Sequence, residues 1–488
     1  MASRATAPTA QAPPSTGGQS VLDPMNRTGL NRFHAKTILI AGMGFFTDAY
    51  DLFVIGLIAA LFVFYKPFAI PGSLFSLPFG GSAGVISGIA LISAAAIFGA
   101  VIGPMVFGNL GDRFGRKTVY GIEMLVLVIG ALASGLAWSF ASLVAFRLIV
   151  GVGVGGDYPV SAVLMSEYAG REDRGRQVGL VFCAQAVGLI VGPLVALALL
   201  GGGVGAPLTW RLLLGLGAIP AAAAAWMRRT LPEPERFTAA VAAAAAGPRE
   251  PGTRLAAARG PQAGLRAFLA SRRLLVLLAG TAGCWFLLDY AYYGNTISTP
   301  RIIGLIAPHA TQITTIAIQL AIFTVAAVPG YVLAITRMDR IGHRRLQLIG
   351  FILMGACFAV IGLVPGMTTA VLPFLLVYGI SYFFSEFGPN VTTFVLPGEL
   401  FPTGVRATGH GISAGIGKFG AFIGVFLFPV LQGSLGLRGT LLLTAGVSAL
   451  GALLTLVLPE PAGRSLEEIE GSHALHPEPV RADAARAA

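Results

Sequence analysis

Charge is what this chain has least of. Asp, Glu, Lys and Arg together make up 11% of its 488 residues, against roughly a quarter in soluble proteins. A water-soluble globule of this length has no interior large enough for a 55% hydrophobic composition, which excludes a soluble enzyme, a nucleic-acid module and a disordered scaffold together. Lysine is scarcer still: Lys36, Lys66, Lys117 and Lys418 are the only four among 33 basic residues. Cysteine is confined to Cys183, Cys284 and Cys357, an odd number inside apolar runs. These read as small buried side chains, with no metal spacing and no redox pair. A Walker loop, a dinucleotide glycine pattern after a strand and a Ser/His/Asp arrangement are all missing, so no nucleotide, cofactor or enzymatic chemistry is expected. His34, His309 and His343 read as tail or loop residues, and His410 sits near a span end.

What is present is a polytopic membrane protein, all-α, with a mean hydropathy of +0.77. At about 20 residues per span, twelve helices need about 240 residues, which the chain can supply. The apolar runs predict helices over 37–63, 83–108, 118–138, 142–166, 178–200 and 209–228, and again over 273–298, 310–336, 347–365, 371–396, 406–432 and 438–458. Residues 1–36 form an Ala, Pro, Gly, Ser and Thr-rich tail without the apolar core of a signal peptide; its Asn26-Arg27-Thr28 sequon is a chance occurrence. Residues 37–228 and 273–458 are the two six-helix halves, 229–272 a flexible linker and 459–488 a C-terminal tail. The net charge of +11 comes from Arg and Lys between spans, not from a nucleic-acid surface. Arg113, Arg116, Lys117, Arg171, Arg174, Arg176, Arg337, Arg340, Arg344 and Arg345 share one set of connections, while Lys66, Arg301 and Arg438 are nearly all the other set holds. The excess of positive charge places both termini and the linker in the cytoplasm.

The chain repeats itself once. Leu231-Pro232-Glu233-Pro234 returns as Leu458-Pro459-Glu460-Pro461, and Asp112-Arg113-Phe114-Gly115 as Asp339-Arg340-Ile341-Gly342, both at an offset of 227. Glu167 precedes Arg174 by seven residues and Glu399 precedes Arg406 by seven. Two related halves around a central cavity account for all three.

An ionisable group in hydrocarbon is costly, so each one inside a span is a functional candidate. Asp48, Asp51, Arg147, Asp157, Asp289, Glu386 and Lys418 are that set. Asp48 and Asp51 share a helix face, where two carboxylates cannot both ionise cheaply, so one is expected to carry a proton. Arg147 and Asp157 are about 15 Å apart along one helix and need partners elsewhere; the intervening Gly151-Val152-Gly153-Val154-Gly155-Gly156 either packs closely or bends the helix. Trp285, Asp289 and Tyr293 form one stripe, and Gln185 and Asn390 are uncharged polar groups that would be wasted facing lipid. Lys418, alone among glycines, must face a cavity, a carboxylate or an anion; a carboxylate of the first or fourth span, across the two halves, is the partner that alternating access would break and remake.

Gly108-Asn109-Leu110-Gly111-Asp112-Arg113-Phe114-Gly115-Arg116-Lys117 resembles the loop signature of the major facilitator superfamily, with Gly108, Asp112, Arg113, Gly115 and Arg116 as its gating positions. More narrowly, Gly44-Phe45-Phe46-Thr47-Asp48-Ala49-Tyr50-Asp51, Gly155-Gly156-Asp157-Tyr158-Pro159-Val160-Ser161-Ala162, Trp285-Phe286-Leu287-Leu288-Asp289, Phe387-Gly388-Pro389-Asn390 and Gly411-Ile412-Ser413-Ala414 resemble the phosphate:proton symporter family. The resemblance implies a major-facilitator-type fold in a plasma (inner) membrane and import of inorganic phosphate with protons. It implies Tyr158, Gln185, Trp285, Asp289, Tyr293 and Asn390 as substrate-binding residues, and Asp48, Asp51, Arg147, Asp157 and Lys418 as the proton and charge relay. Glu386 departs from it, standing where that family usually has an amide. A proton-coupled importer of another organic anion or sugar, and a non-transporting nutrient sensor, are the alternatives. The charges on so few polar positions suit a neutral sugar poorly, and the polar tail after Glu470 is short for a sensor's output segment.

Overall fold

A computed structural model describes residues 30–76, 85–245 and 270–474. The sequon, most of the N-terminal tail, the middle of the linker and the end of the C-terminal tail lie outside the described residues. The first half runs through α1 (Arg32–Phe64), α2 (Gly88–Phe114), α3 (Arg116–Val119), α4 (Ile122–Gly135), α5 (Phe140–Tyr168), α6 (Arg174–Cys183), α7 (Gln185–Gly201), α8 (Ala206–Gly215) and α9 (Ala218–Arg228). The linker segment is helical in part, as α10 (Glu235–Ala245). The second half comprises α11 (Arg272–Ile306), α12 (Gln312–Ile322), a π-helical turn at Phe323–Ala327, α13 (Val328–Ile341), α14 (His343–Leu363), α15 (Val371–Phe387), α16 (Pro389–Leu400) and α17 (Arg406–Thr455), and α18 (Leu466–Ala474) follows in the tail. Two-residue strands, β1 (Phe75–Ser76) and β2 (Val85–Ile86), pair antiparallel before α2 and are the one departure from an all-helical chain among the described residues.

Eleven helices among the described residues are long and apolar enough to cross a membrane. The twelfth expected span is fused to the eleventh. Thr403–Thr455 is one run of 53 residues, about 80 Å if straight, far beyond a hydrocarbon core of about 30 Å. It breaks at Gly436, whose φ of 68° and ψ of 174° are not helical, so the run crosses twice. Large apolar side chains such as Ile129, Trp138, Trp226 and Val325 lie exposed around the outside of this multi-pass membrane protein.

The glycine run of α5 packs and does not bend. The helix is continuous from Phe140 to Tyr168, and a Cβ on Gly151 would stand 1.8 Å from the Ala96 carbonyl oxygen of α2. On the facing side, a Cβ on Gly99 would come within 2.1 Å of the Leu148 oxygen and one on Gly103 within 2.3 Å of the Val152 oxygen. Missing side chains on both helices let the two backbones touch.

The signature Gly108–Arg113 is helix, not loop. α2 carries on through Phe114 and stops only at Gly115 (φ 96°), as α13 stops at Gly342 (φ 98°). That conformation favours glycine, which explains the repeated residue. The recurring Leu-Pro-Glu-Pro has a matching cause. Glu233 accepts from the backbone N–H groups of Arg116 (2.7 Å) and Lys117 (3.0 Å), and Glu460 does the same for His343 (2.8 Å) and Arg344 (3.1 Å). Each glutamate satisfies the open N–H groups of the helix beginning after the glycine.

At this basic end the halves are tied crosswise. The Asp112 carboxylate accepts from the Ala407 (3.3 Å) and Thr408 (2.6 Å) N–H groups at the start of α17, and Asp339 accepts from Gly175 (3.1 Å) and Arg176 (2.8 Å) at the start of α6. Arg116 pairs with Asp112 and Glu167, both at 3.1 Å, and Arg406 of the other half reaches Glu167 at 3.3 Å. Arg174 pairs with Glu399 at 2.8 Å, which also meets His343 at 2.9 Å. Each half's arginine thus neutralises the other half's glutamate. His343, read from sequence as a loop residue, is buried in the place that Arg116 occupies in the first half. His34 likewise belongs to α1, with its Nε2 3.2 Å from the Tyr168 backbone oxygen. Around the first cluster, Arg236 of α10 donates to the Glu167 backbone oxygen at 2.6 Å and pairs with Glu467 of α18 at 3.0 Å, so helices from both flanking segments close over it.

Two outcomes follow. Gly151→Val should prevent α2 and α5 from meeting and abolish recovery of monodisperse protein in detergent; wild-type recovery would show that the glycines are not a packing seam. Glu399→Gln strands the Arg174 guanidinium and should cost about 3–5 kcal/mol, read as a lowered thermal unfolding midpoint. The exchange Arg174→Glu with Glu399→Arg should recover part of that loss.

Candidate functional site

Midway through the bundle the second half presents a buried cation. Lys418 lies on α17 between Gly417 and Gly420; a Cβ on Gly417 would meet the Trp285 ring at 2.6 Å, and one on Gly420 the Phe286 oxygen at 2.2 Å. That close fit of α17 on α11 brings the ammonium against the sequence-predicted stripe. Nζ donates to Asp289 Oδ2 at 2.9 Å and to the Tyr293 hydroxyl at 3.0 Å. It also sits 4.5 Å from the Tyr158 ring and 4.3 Å from the Tyr293 ring. The expected partner in the first or fourth span is therefore corrected: Lys418 pairs within its own half, because the glycine-lined seam between α11 and α17 brings Asp289 directly against it. The first half contributes Tyr158, whose hydroxyl lies 3.3 Å from that of Tyr293, so Tyr158 joins the Trp285–Asp289–Tyr293 group and does not face it. Phe53 stacks on Tyr293 with centroids 5.1 Å apart. Trp285 packs edge-on to His410 at 5.4 Å.

Gln185 and Asn390 form a second group around Tyr331. Gln185 Nε2 and Asn390 Nδ2 donate to the Tyr331 hydroxyl at 2.8 and 2.9 Å, and Asn390 Nδ2 also contacts Glu386 Oε2. The stacked rings of Phe182 and Phe394, 4.7 Å apart, lie between the groups, reaching Tyr158 at 6.5 and 6.2 Å and Tyr331 at 6.5 Å through Phe182.

Asp48 and Asp51 share α1 but look into different surroundings. Neither carboxyl has a hydrogen-bond partner among the described residues, and both are fully buried. Asp48 lies near Asp157, Arg228 and Glu123. Asp51 packs against Gly217, where a Cβ would stand 2.4 Å from Oδ1, and its backbone oxygen accepts from Arg147 Nη2 at 2.6 Å. Asp157 finds the partner it needed in Arg228, at 2.7 Å, and Arg228 also holds Glu123 at 2.5 Å. Ser161 donates to Asp157 at 2.5 Å. Glu123, Arg228 and Tyr331 escaped the sequence reading. The first two lie close to span ends, where charge is inexpensive, and a tyrosine in an apolar run carries no mark; only packing reveals them. Cys284 is buried as expected, whereas Cys183 and Cys357 are half-buried.

A cavity of about 460 Å³ opens on the far side of Phe53 and Tyr293 from the crossed ion pairs. Gly56, Ser93, Ile297, Arg301 and Val425 line it. Gly56 and Ile297 sit about one turn beyond Phe53 and Tyr293 on their helices, so the aromatic stack separates the Lys418 group from this cavity, and the charge clusters seal the opposite end. The Lys418–Asp289 ion pair is thus buried between the aromatic stack on one side and the charge clusters on the other.

The sequence pattern of the Major Facilitator Superfamily matches residues 42–424. The "Probable inorganic phosphate transporter 1-6" of Arabidopsis thaliana is 36% identical over 507 aligned positions, covering 93% of this chain and 96% of that protein. The "Inorganic phosphate transporter 1-6" of Oryza sativa subsp. japonica is 37% identical, covering 90% and 92%. Among solved structures, the proton:xylose symporter XylE superposes with a TM-score of 0.70 at 20% identity, over 90% of this chain and 99% of that one, which speaks to the fold alone. The chain, a transporter and not an enzyme, belongs to the major facilitator superfamily and, within it, to the family of inorganic phosphate transporters.

Proposed function

We propose that this protein imports inorganic phosphate together with protons by alternating access, in a plasma (inner) membrane with both termini and the linker in the cytoplasm. The observation that carries the reading is Lys418, a buried ammonium held by one carboxylate and two tyrosines. An anion that enters this compartment competes with Asp289 for Nζ. Once displaced, Asp289 must take up a proton or stand beside a second negative charge. Phosphate can also supply the hydrogen itself, which a fully ionised oxyanion cannot. A neutral sugar would leave the ion pair without a competitor.

The cytoplasmic assignment rests on arginine density at the crossed ion pairs. In that orientation the 460 Å³ cavity faces outward, the aromatic stack of Phe53 and Tyr293 is the outer barrier, and the Asp112 and Asp339 clusters are the inner one. Movement of an anion into a negative interior costs about 2.3 kcal/mol per charge per 100 mV, so more than one proton must accompany each phosphate. Asp48 and Asp51, buried without counter-contact, are the carboxyls that carry them. Arg147 and Arg228 stand beside them and stabilise the ionised form after release.

Counterflow and pH-driven uptake of labelled phosphate in proteoliposomes test this. Wild-type protein should accumulate phosphate only with an inward proton gradient, and equal uptake without a gradient would sink the coupling. Asp48→Asn and Asp51→Asn should lose accumulation while keeping exchange; full accumulation by both would remove these residues from the proton path. Lys418→Ala should lower phosphate affinity more than tenfold, worth about 1.4 kcal/mol or more. Lys418→Arg should fail to rescue it, since a planar guanidinium does not fit between the Tyr158 and Tyr293 rings.

A further inference from the structure

One buried acid has no part in the cycle above. Glu386 is fully buried at the end of α15, and among the described residues no lysine, arginine or histidine forms an ion pair with it. Its ionisable neighbours are Tyr292 of α11, Tyr331 of α13, Cys183 of α6 and Tyr382 of its own helix. Its other contact is Asn390 of α16. The Tyr331 hydroxyl receives the amides of Gln185 (2.8 Å) and Asn390 (2.9 Å), so its own hydrogen is left to give, and the neighbouring Glu386 carboxyl keeps one buried oxygen without a hydrogen-bond partner among the described residues. Glu386 therefore ends a chain of donors that starts on α7 of the first half and crosses to the second.

The direction of that chain is set by charge. With Glu386 ionised, every donor turns toward it: Asn390 spends both N–H groups on Glu386 and Tyr331, and its carbonyl is what remains for a ligand. A carbonyl repels an oxyanion. With Glu386 protonated, its O–H becomes a donor and the Asn390 carbonyl its acceptor, so the amide turns over and frees N–H groups. The Tyr331 hydrogen, released from Glu386, can then satisfy the Gln185 carbonyl, which frees that amide in the same sense.

We propose that Glu386 is a proton-linked positioning residue whose protonation turns the Asn390 and Gln185 amides so that their N–H groups face the substrate, and that phosphate binding takes up a proton there. The proposal rests on phosphate as the substrate. No bond between heavy atoms changes: the proton comes from solution, forms an O–H bond on a Glu386 oxygen while phosphate is bound, and returns to solution when phosphate leaves.

Titrating inorganic phosphate into the full-length protein in detergent, in buffers of different ionisation enthalpy, counts protons taken up per phosphate. Glu386→Gln should still bind phosphate but take up about one fewer proton, and Glu386→Asp should restore the count. Undiminished proton uptake by Glu386→Gln overturns the proposal while leaving the phosphate reading standing; no phosphate binding by wild type at any pH overturns both. Should Glu386→Gln fail to fold, infrared difference spectra of the wild type decide. Phosphate should add a protonated-carboxyl band that shifts on ¹³C labelling of glutamate, and a band absent or unmoved by that labelling overturns the proposal.

Discussion

The arrangement of the whole bundle follows from the cost of keeping a charge inside it. An ion in the hydrocarbon region must be matched by a counter-charge, and its own helix can rarely provide one at the right height. Lys418 therefore forces α11 and α17 together through glycines until Asp289 and Tyr293 come within 3.0 Å of its nitrogen. Asp157 draws in Arg228 from the far end of α9, and Arg228 draws in Glu123. Helices meet where the charges require it, and the glycine seams allow them to meet there.

The same constraint sorts the site chemically. Carboxyls with a cation in contact, such as Asp157 and Asp289, are tied into fixed pairs, whereas Asp48, Asp51 and Glu386 are buried without one. The first kind holds structure or exchanges with an anion. The second kind is stable there only as the neutral acid or beside several hydrogen-bond donors. The two kinds stand on separate helices, the paired acids on α5 and α11 and the unpaired ones on α1 and α15.

What could be read from the amino acids alone was whatever stands out against an apolar background. Asp48, Asp51, Asp289, Glu386 and Lys418 are conspicuous because each interrupts a hydrophobic run, and the spans are conspicuous as the runs themselves. The repeated Asp, Gly and Glu positions were visible at a fixed offset, though not their purpose as cap and turn. Partnerships were invisible. Nothing in the spacing says that Lys418 chooses Asp289, that Arg228 serves Asp157, or that Tyr331 joins two amides from opposite halves. His343 was misplaced for a related reason: beside four arginines it looks like one more solvated base, and only the burial of Glu399 turns it inward. The last boundary was legible too: 406–432 and 438–458 stood apart in the sequence, and the structure turns between them at the single non-helical residue Gly436.

The crossed pairing of Arg174 with Glu399 and of Arg406 with Glu167 has a consequence for the ancestry of the architecture. A contact in which residue i of one unit meets residue j of the other, and j meets i, is the isologous contact of a two-fold dimer. Here both units lie on one polypeptide, so the bundle is a dimer interface with a covalent tether, and neither half cut loose would carry a complete set of its own counter-ions. Because the tether frees each copy to drift, the symmetry is exact in the pairing but not in its members: Arg116 on one side answers to His343 on the other.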